Sequence, residues 1–365
     1  STLANPPANF YRAAGTATDC VETVSQVFLG ARLQCAKCHN HPFEKWTQDN
    51  YYGLAAFFEP VKRRNTQRPG ETFIYTAAGG DVIQPRTGEK MLPWLPGEGS
   101  LALADGEDGR QRLVDWLVDP ANPLFARIEA NRIWSSCFAR GIVDPIDDFR
   151  DSNPPSNGPL LDALTQVFIE SGFDRKALLR TILISRTYQA SVRTTESNAS
   201  DTRYFSHQMP RLLAAEQLLD AIGSVTEVPD TFTGLPADTK ATQLPAPDLA
   251  KVEFLEVFGQ PQRSTVCACE RSGDSNLGMA IAMFNGEMIH TKLAAEANRF
   301  RRGIAAGRSV EDLIDELYLA AVCRRPDAEE KAAALAHVAT RDAAADGLED
   351  VCWALLNTDE FLFQH

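Results

Sequence analysis

From about residue 110 onward, apolar residues recur every three or four positions, the spacing that lines one face of an α-helix. The periodicity predicts helices over 110–118, 122–139, 158–172, 174–190 and 209–225. It resumes over 274–298, 309–323, 326–342 and 347–363. Pro326 sits where a first helical turn tolerates proline. Nearer the start, Thr18 or Asp19 is placed to cap a helix whose apolar face runs through Val21, Val24, Phe28 and Leu33. Pro42 interrupts the chain there, and a second short helix is expected over 47–58. Between residues 60 and 108 the periodicity is lost. Pro69-Gly70, Gly79-Gly80, Pro85, Pro93 and Pro96-Gly97 punctuate short β-prone pieces such as Phe73-Ile74-Tyr75, which predicts loops with at most one small β-hairpin. Residues 226–262, rich in Pro, Thr and Asp, read as a surface excursion. The expected fold is mainly α, a multi-helix globular protein with long irregular loops, divided as 1–60, 61–110 and 111–365.

Composition narrows the class. A chain of 365 residues with 44% hydrophobic and 23% charged residues builds a core without disulfide support. No apolar run is long enough for a membrane span. The net charge of −13 argues against nucleic acid and anionic lipid as general partners, because both call for a basic surface. The first residues, Ser1-Thr2-Leu3-Ala4-Asn5-Pro6-Pro7, lack the charged-then-apolar order of an export signal. The chain is therefore expected to begin after processing or inside a longer protein.

The chemistry concentrates in Cys35-Ala36-Lys37-Cys38-His39, the Cys-x-x-Cys-His pattern of covalent haem attachment. Two thiols add across the two vinyl groups of one haem c, and the adjacent imidazole lies under the iron as its proximal ligand. The cofactor-binding residues are thus Cys35, Cys38 and His39, with His39 on the metal. His41 lies two residues further on, tethered to the same side, where it can meet a propionate, ligate another metal or serve as a surface histidine. Phe43, Trp46, Tyr51, Tyr52, Phe57 and Phe58 offer either an apolar haem wall or ordinary helix packing. The same two cysteines also suit a non-haem zinc or iron site completed by Cys267 and Cys269, or a simple disulfide. Asp147-Asp148 reads as a cap or loop ion pair ahead of an acid–base pair, and Asn153-Pro154-Pro155-Ser156 as a rigid turn before a helix.

Val27-Phe28-Leu29-Gly30 through the motif to Asn40-His41-Pro42-Phe43 and Trp46-Thr47-Gln48-Asp49 resembles the PSCyt2 (DUF1549) domain of planctomycete and verrucomicrobial proteins. The rest resembles PSD1 (DUF1553), its usual C-terminal partner. That resemblance is carried by Asn131-Arg132-Ile133-Trp134, Asp147-Asp148-Phe149, Ser185-Arg186-Thr187-Tyr188-Gln189, Cys267-Ala268-Cys269-Glu270-Arg271 and the final Glu360-Phe361-Leu362-Phe363-Gln364-His365. The resemblance implies an exported or periplasmic cytochrome-like protein, associated with the breakdown of polysaccharides, sulfated ones included. It implies a redox partner protein or an N-terminal cytochrome domain, and a polysaccharide as a further partner. His365, where the family has a terminal histidine, is the candidate distal iron ligand, against a plain helix-cap role.

Three functional classes are open to such a chain. The first is an exported c-type haem protein for electron transfer, or for substrate oxidation if the sixth iron position is open. The second is a non-haem metal protein on Cys35, Cys38, Cys267 and Cys269. The third is a carbohydrate-binding or structural partner with oxidised cysteines.

Overall fold

The computed structural model describes the chain except residues 3, 69–70, 78, 105, 245–251, 262–275 and 365. It is mainly helical, and the described residues gather into two compact units. The first is built largely from Ser1–Ala190 and Thr194–Gln208, the second from the described residues of 209–365. This contact division falls inside the segment 111–365 that composition alone leaves whole.

In the first unit, α1 is Phe10–Ala13, α2 Ala17–Phe28, α3 Gln48–Ala55, α4 Gly109–Leu117, α5 Pro123–Phe138, α6 Gly158–Glu170 and α7 Arg175–Leu183. The cap of α2 is Thr16, slightly earlier than expected: its hydroxyl accepts from the Asp19 amide while the Asp19 carboxylate accepts from the Thr16 amide. The helix ends at Phe28, so Leu33 does not extend its apolar face but belongs to a separate 3₁₀ turn, Leu33–Lys37. Helix α7 stops at Leu183 rather than 190. Beyond it the Ser185 hydroxyl accepts from the Tyr188 amide, a local bond that replaces the helical one.

Among the described residues, the stretch 60–108 holds three antiparallel pairs, where at most one small hairpin is expected. These are β1 Val61–Asn65 with β2 Thr72–Thr76, β3 Val82–Ile83 with β4 Lys90–Met91, and β5 Trp94–Leu95 with β6 Gly99–Ser100. Two-residue strands are too short to show alternation, so they leave no periodic trace in sequence. Phe125 at the start of α5 joins the two apolar clusters of this unit. Its ring lies 5.8 Å from Phe28 on one side and 5.9 Å from Phe173 on the other.

The second unit contains β7 Arg211–Leu212, α8 Ala215–Thr226, α9 Glu253–Val257, α10 Leu277–Asn285, α11 Glu287–Ala294, α12 Arg299–Ala305, α13 Val310–Val322, α14 Ala328–Val338, α15 Ala344–Leu356, α16 Asp359–Leu362 and β8 Phe363–Gln364. β7 and β8 form a fourth antiparallel pair. The expected helix over 274–298 is two helices, parted at Gly286, where a Cβ would lie 2.2 Å from the Ala282 carbonyl oxygen. Helix α12 and the short α9 are not predicted by periodicity. Around α8, α13 and α15 lies one core that includes Leu218, Leu219, Ile314, Leu317, Leu348 and Leu356, all fully buried.

In the first unit, residues 141–156 form a turn held from inside. The buried Asn131 side chain of α5 donates to the Val143 carbonyl (2.8 Å) and accepts from the Val143 amide (2.9 Å). The turn then meets the approach to the motif. The Phe149 amide donates to the Gly30 carbonyl (2.9 Å), and Gly30, at φ +58°, leaves no room for a Cβ beside the Phe149 ring. Buried Asp147 accepts from Gln26 at the end of α2 and from Arg32 (2.8 Å). Burial alone would raise the Asp147 carboxyl, but these two bonds and the charges of Arg32 and Arg132 hold it below its ordinary value. Asp147 is thus a structural carboxylate. Asp148 pairs with Arg150 at 2.9 Å.

This packing can be tested at two points. A Cβ on Gly347 of α15 would lie 2.6 Å from the Val338 Cα of α14. Gly347→Ala should therefore destabilise the second unit by about 1–3 kcal/mol, read as a lower melting temperature, and an unchanged one would contradict this contact. Asp147→Asn should cost about 1–3 kcal/mol near neutral pH. Because the folded carboxyl titrates below the ordinary value, its stabilisation is complete above about pH 4 and disappears as pH falls through the lower folded value. The gap between parent and variant in denaturant melts should begin to narrow near pH 4 and close as pH falls through the lower folded value, and a gap independent of pH would contradict the pairing.

Candidate functional site

The motif sits on the 3₁₀ turn Leu33–Lys37, which has three residues per turn, so positions three apart share an edge. Leu33 and Ala36 are fully buried and root the turn in the core of the first unit. Cys35 and Cys38, offset from them, are both exposed and not joined in a disulfide. The Cys-x-x-Cys spacing therefore places two thiols on one outward edge while its apolar partners anchor the opposite one. This contrasts with Cys20 and Cys352, which are buried and whose thiols are pushed up to about 12 by desolvation, so both stay protonated.

The segment after the turn is pinned to the start of α3. Thr47 caps that helix, in a reciprocal box with Asn50. The Asn40 side chain accepts from the Gln48 amide (3.1 Å), while Gln48 and the Tyr52 hydroxyl both donate to the Lys37 carbonyl, each at 3.1 Å. From the other side, Lys37 meets Glu22 of α2 at 3.4 Å, and Glu22 also accepts from the buried Tyr51 hydroxyl (2.8 Å). Burial first, then the Glu22 carboxylate beside it, raises the Tyr51 hydroxyl, which stays a donor.

His39 is exposed, and its Nδ1 lies 2.8 Å from the Asn40 carbonyl oxygen. A carbonyl only accepts, so Nδ1 carries the hydrogen, and in the neutral ring Nε2 keeps its lone pair. That tautomer suits ligation of a metal through Nε2. His41 has the opposite arrangement: its Nδ1 accepts from the Phe43 amide (3.3 Å), which leaves the hydrogen on Nε2. In this arrangement His41 offers an Nε2–H donor.

Beside the motif lies a cleft of about 650 Å³, within the range of small-molecule and cofactor sites. Cys35 and the 41–46 loop form one side, with Phe43 and Trp46 as its aromatic surface. Leu124, Arg127 and Ile128 of α5 line it, and so do Asp148, Phe149 and Arg150 of the 141–156 turn. Cys38 and His39 stand outside it. Of the aromatics, Phe43 is 82% exposed and Trp46 half-buried, whereas Tyr51, Phe57 and Phe58 are core residues, so ordinary packing accounts for those three. Asn153 holds the turn by donating to the Asp148 carbonyl (2.8 Å), a structural role.

Cys267, Cys269 and His365 lie outside the described residues. Among the described residues, no group of three or more His, Cys, Asp or Glu side chains is arranged for a metal ion. Both ring nitrogens of His207 meet backbone carbonyls at 3.0 Å, His337 pairs with Asp350 at 2.8 Å, and Met279 and Met283 are buried in the second unit. The donor set of Cys35, Cys38 and His39 fits a covalently held haem: two outward thiols on one edge, and an adjacent imidazole with a defined lone pair. No helix among the described residues is long and apolar enough to cross a membrane. Sequence reasoning missed Asn40, Gly30, Arg127 and Arg150. The Thr47-x-x-Asn50 cap is a readable signal that residues just before it are held, while the two arginines carry no local signal.

Comparison with known families adds two matches. Residues 7–63 match PSCyt2, a protein of unknown function (DUF1549), and residues 109–338 match PSD1, a protein of unknown function (DUF1553). No curated protein and no solved structure matches the chain. The PSCyt2 match contains the motif turn, and the PSD1 match contains Asn131 and the 141–156 turn packed against it. With more than half of its length matched by PSD1, and a PSCyt2 segment ahead of it, the chain belongs to the PSD1 (DUF1553) family.

Proposed function

We propose that this protein is an exported c-type haem protein acting in redox chemistry or electron transfer. The observation that carries the reading is the motif turn itself, with Cys35 and Cys38 outward on one edge and the His39 Nδ1–H held by the Asn40 carbonyl. Haem bound there would supply one-electron chemistry at iron. The protein's own part is geometric. Leu33 and Ala36 fix the turn, the Asn40 and Lys37 contacts fix the segment after it, and the Asn40 carbonyl sets the His39 tautomer. The exposure of all three donors leaves the haem edge open to a redox partner protein, including an N-terminal cytochrome domain. A link to polysaccharide breakdown rests on the family resemblance alone.

The chain exported through a compartment with haem-attachment machinery should show a Soret band, and its intact mass should exceed the polypeptide mass by one haem. Cys35→Ala with Cys38→Ala should abolish both. A mature chain without covalent haem would refute the proposal. His39→Ala should lose most of the covalent haem or shift its Soret band without lowering the melting temperature, because the side chain packs in no core. An unaltered spectrum in that variant would remove His39 from the iron.

A further inference from the structure

The β1–β2 hairpin of the first unit takes no part in the motif turn, and β2 and the last two residues of β1 lie outside both family matches. β1 carries three successive cations, Lys62, Arg63 and Arg64, on a chain whose net charge is −13. Lys62 pairs across to Tyr75 and Arg64 to Phe73, so these four side chains share one face. Phe73 and Tyr75 are both exposed there, stacked with ring centres 6.2 Å apart. The Arg64 guanidinium lies 5.8 Å from the centre of the Phe73 ring and meets no carboxylate among the described residues. Lys62 is paired with Glu59 at 2.5 Å, and Arg63 points to the other face, where it donates to the Tyr11 carbonyl (3.4 Å).

One edge of this two-stranded sheet is partly taken and the other is open. The Ala77 amide donates to the Pro60 carbonyl (2.8 Å) and the Thr66 amide to the Glu71 carbonyl (3.3 Å). Hydrogen-bonded pairs recur at every second position of an antiparallel ladder, so the backbone groups of Lys62 and Arg64 face β2 and those of Arg63 and Asn65 face outward. On β2, Thr2 meets the outward groups of Thr72: its amide donates to the Thr72 carbonyl (3.0 Å) and its hydroxyl accepts from the Thr72 amide (3.0 Å). On β1, the amides and carbonyls of Arg63 and Asn65 have no partner among the described residues. An open edge is a template for another strand, and its side chains decide which strand it accepts. A second copy is disfavoured, because β1 against β1 sets Lys62, Arg63 and Arg64 against like charges. Charge alone would keep basic strands away, yet the same face also exposes two aromatic rings, which offer apolar contact to whatever lies beside them.

We propose that the outer edge of β1 receives an extended acidic segment of a partner protein as a third strand. The main chain of that segment pairs with Arg63 and Asn65. Carboxylates at its alternate positions stand beside Lys62 and Arg64, where opposite charges on neighbouring strands attract. The planar fork of Arg64, which no carboxylate among the described residues occupies, is matched to one of them. The proposal stands apart from the haem reading, since neither strand contributes a residue to the motif turn or to the cleft beside it.

The test is fluorescence anisotropy of the full chain with a labelled peptide of alternating Glu and Val. The peptide should bind, and the same peptide with Lys in place of Glu should not. Its valines face Arg63 and Asn65 when its glutamates face Lys62 and Arg64. N-methylation of those valines removes main-chain donors and leaves the charges, and it should weaken binding by about tenfold or more. Arg64→Glu should weaken it by a similar factor with an unchanged melting temperature, since the side chain is exposed. Should that variant melt earlier, Arg64→Gln supplies the same comparison without a new charge. No binding of the acidic peptide to the folded chain overturns the proposal. So does equal binding of the N-methylated peptide, or binding of dextran sulfate but not of the peptide, either of which makes the hairpin a surface for polyanions by charge alone. The assay requires no haem, so its outcome is separate from that of the attachment reading.

Discussion

Asp147 is the carboxylate on which the arrangement around the motif depends. It is buried, and its charge is kept by a side-chain amide at the end of α2 and a guanidinium at the approach to the motif turn. A buried carboxylate without such partners would be costly, so the folded state has strong reason to keep α2, Arg32 and the 141–156 turn together. The Phe149–Gly30 contact and the Asn131 clasp of Val143 act in the same direction. The result is a continuous frame from α5, through the turn, to the residues just before Cys35. This frame forms one side of the cleft and the 41–46 loop another.

The frame also gives a physical reason for a PSCyt2 segment and a PSD1 segment to occur in one chain. Gln26, Gly30 and Arg32 lie in the first match, and Asn131, Asp147 and Phe149 in the second. The motif turn has its own anchors in Leu33 and Ala36, but its approach is set by residues more than a hundred positions away. The PSD1 portion thus helps form the surroundings of the motif as well as a helical domain of its own.

Much of the fold is legible in sequence where the signal is local. The helices of the 110–190 and 309–356 stretches follow from apolar spacing, and Thr47 with Asn50 announces the start of α3. The motif is legible because covalent chemistry demands a fixed spacing of three donors. Other features carry no local trace. Two-residue strands show no alternation, and the Gly286 break is a backbone turn at which a Cβ would not fit beside the Ala282 carbonyl, a constraint that only the folded backbone reveals. The Gln26–Asp147 bond joins residues 121 apart, beyond any window of periodicity. Nothing local in the sequence marks Arg127 or Arg150. Only packing brings them to the cleft beside Cys35. Cys267, Cys269 and His365 lie outside the described residues, so their expected roles rest on the sequence alone.

The function proposed for this chain requires Cys35 and Cys38 to hold one haem through two thioether bonds. The pyridine haemochrome spectrum of the exported chain, taken before and after extraction with acidified organic solvent, decides this. Two thioether bonds predict a haemochrome with both vinyl groups saturated that stays with the polypeptide through extraction, at one haem per chain. A vinyl-bearing haem that leaves with the solvent, or no haemochrome from a chain matured with attachment machinery present, would contradict them.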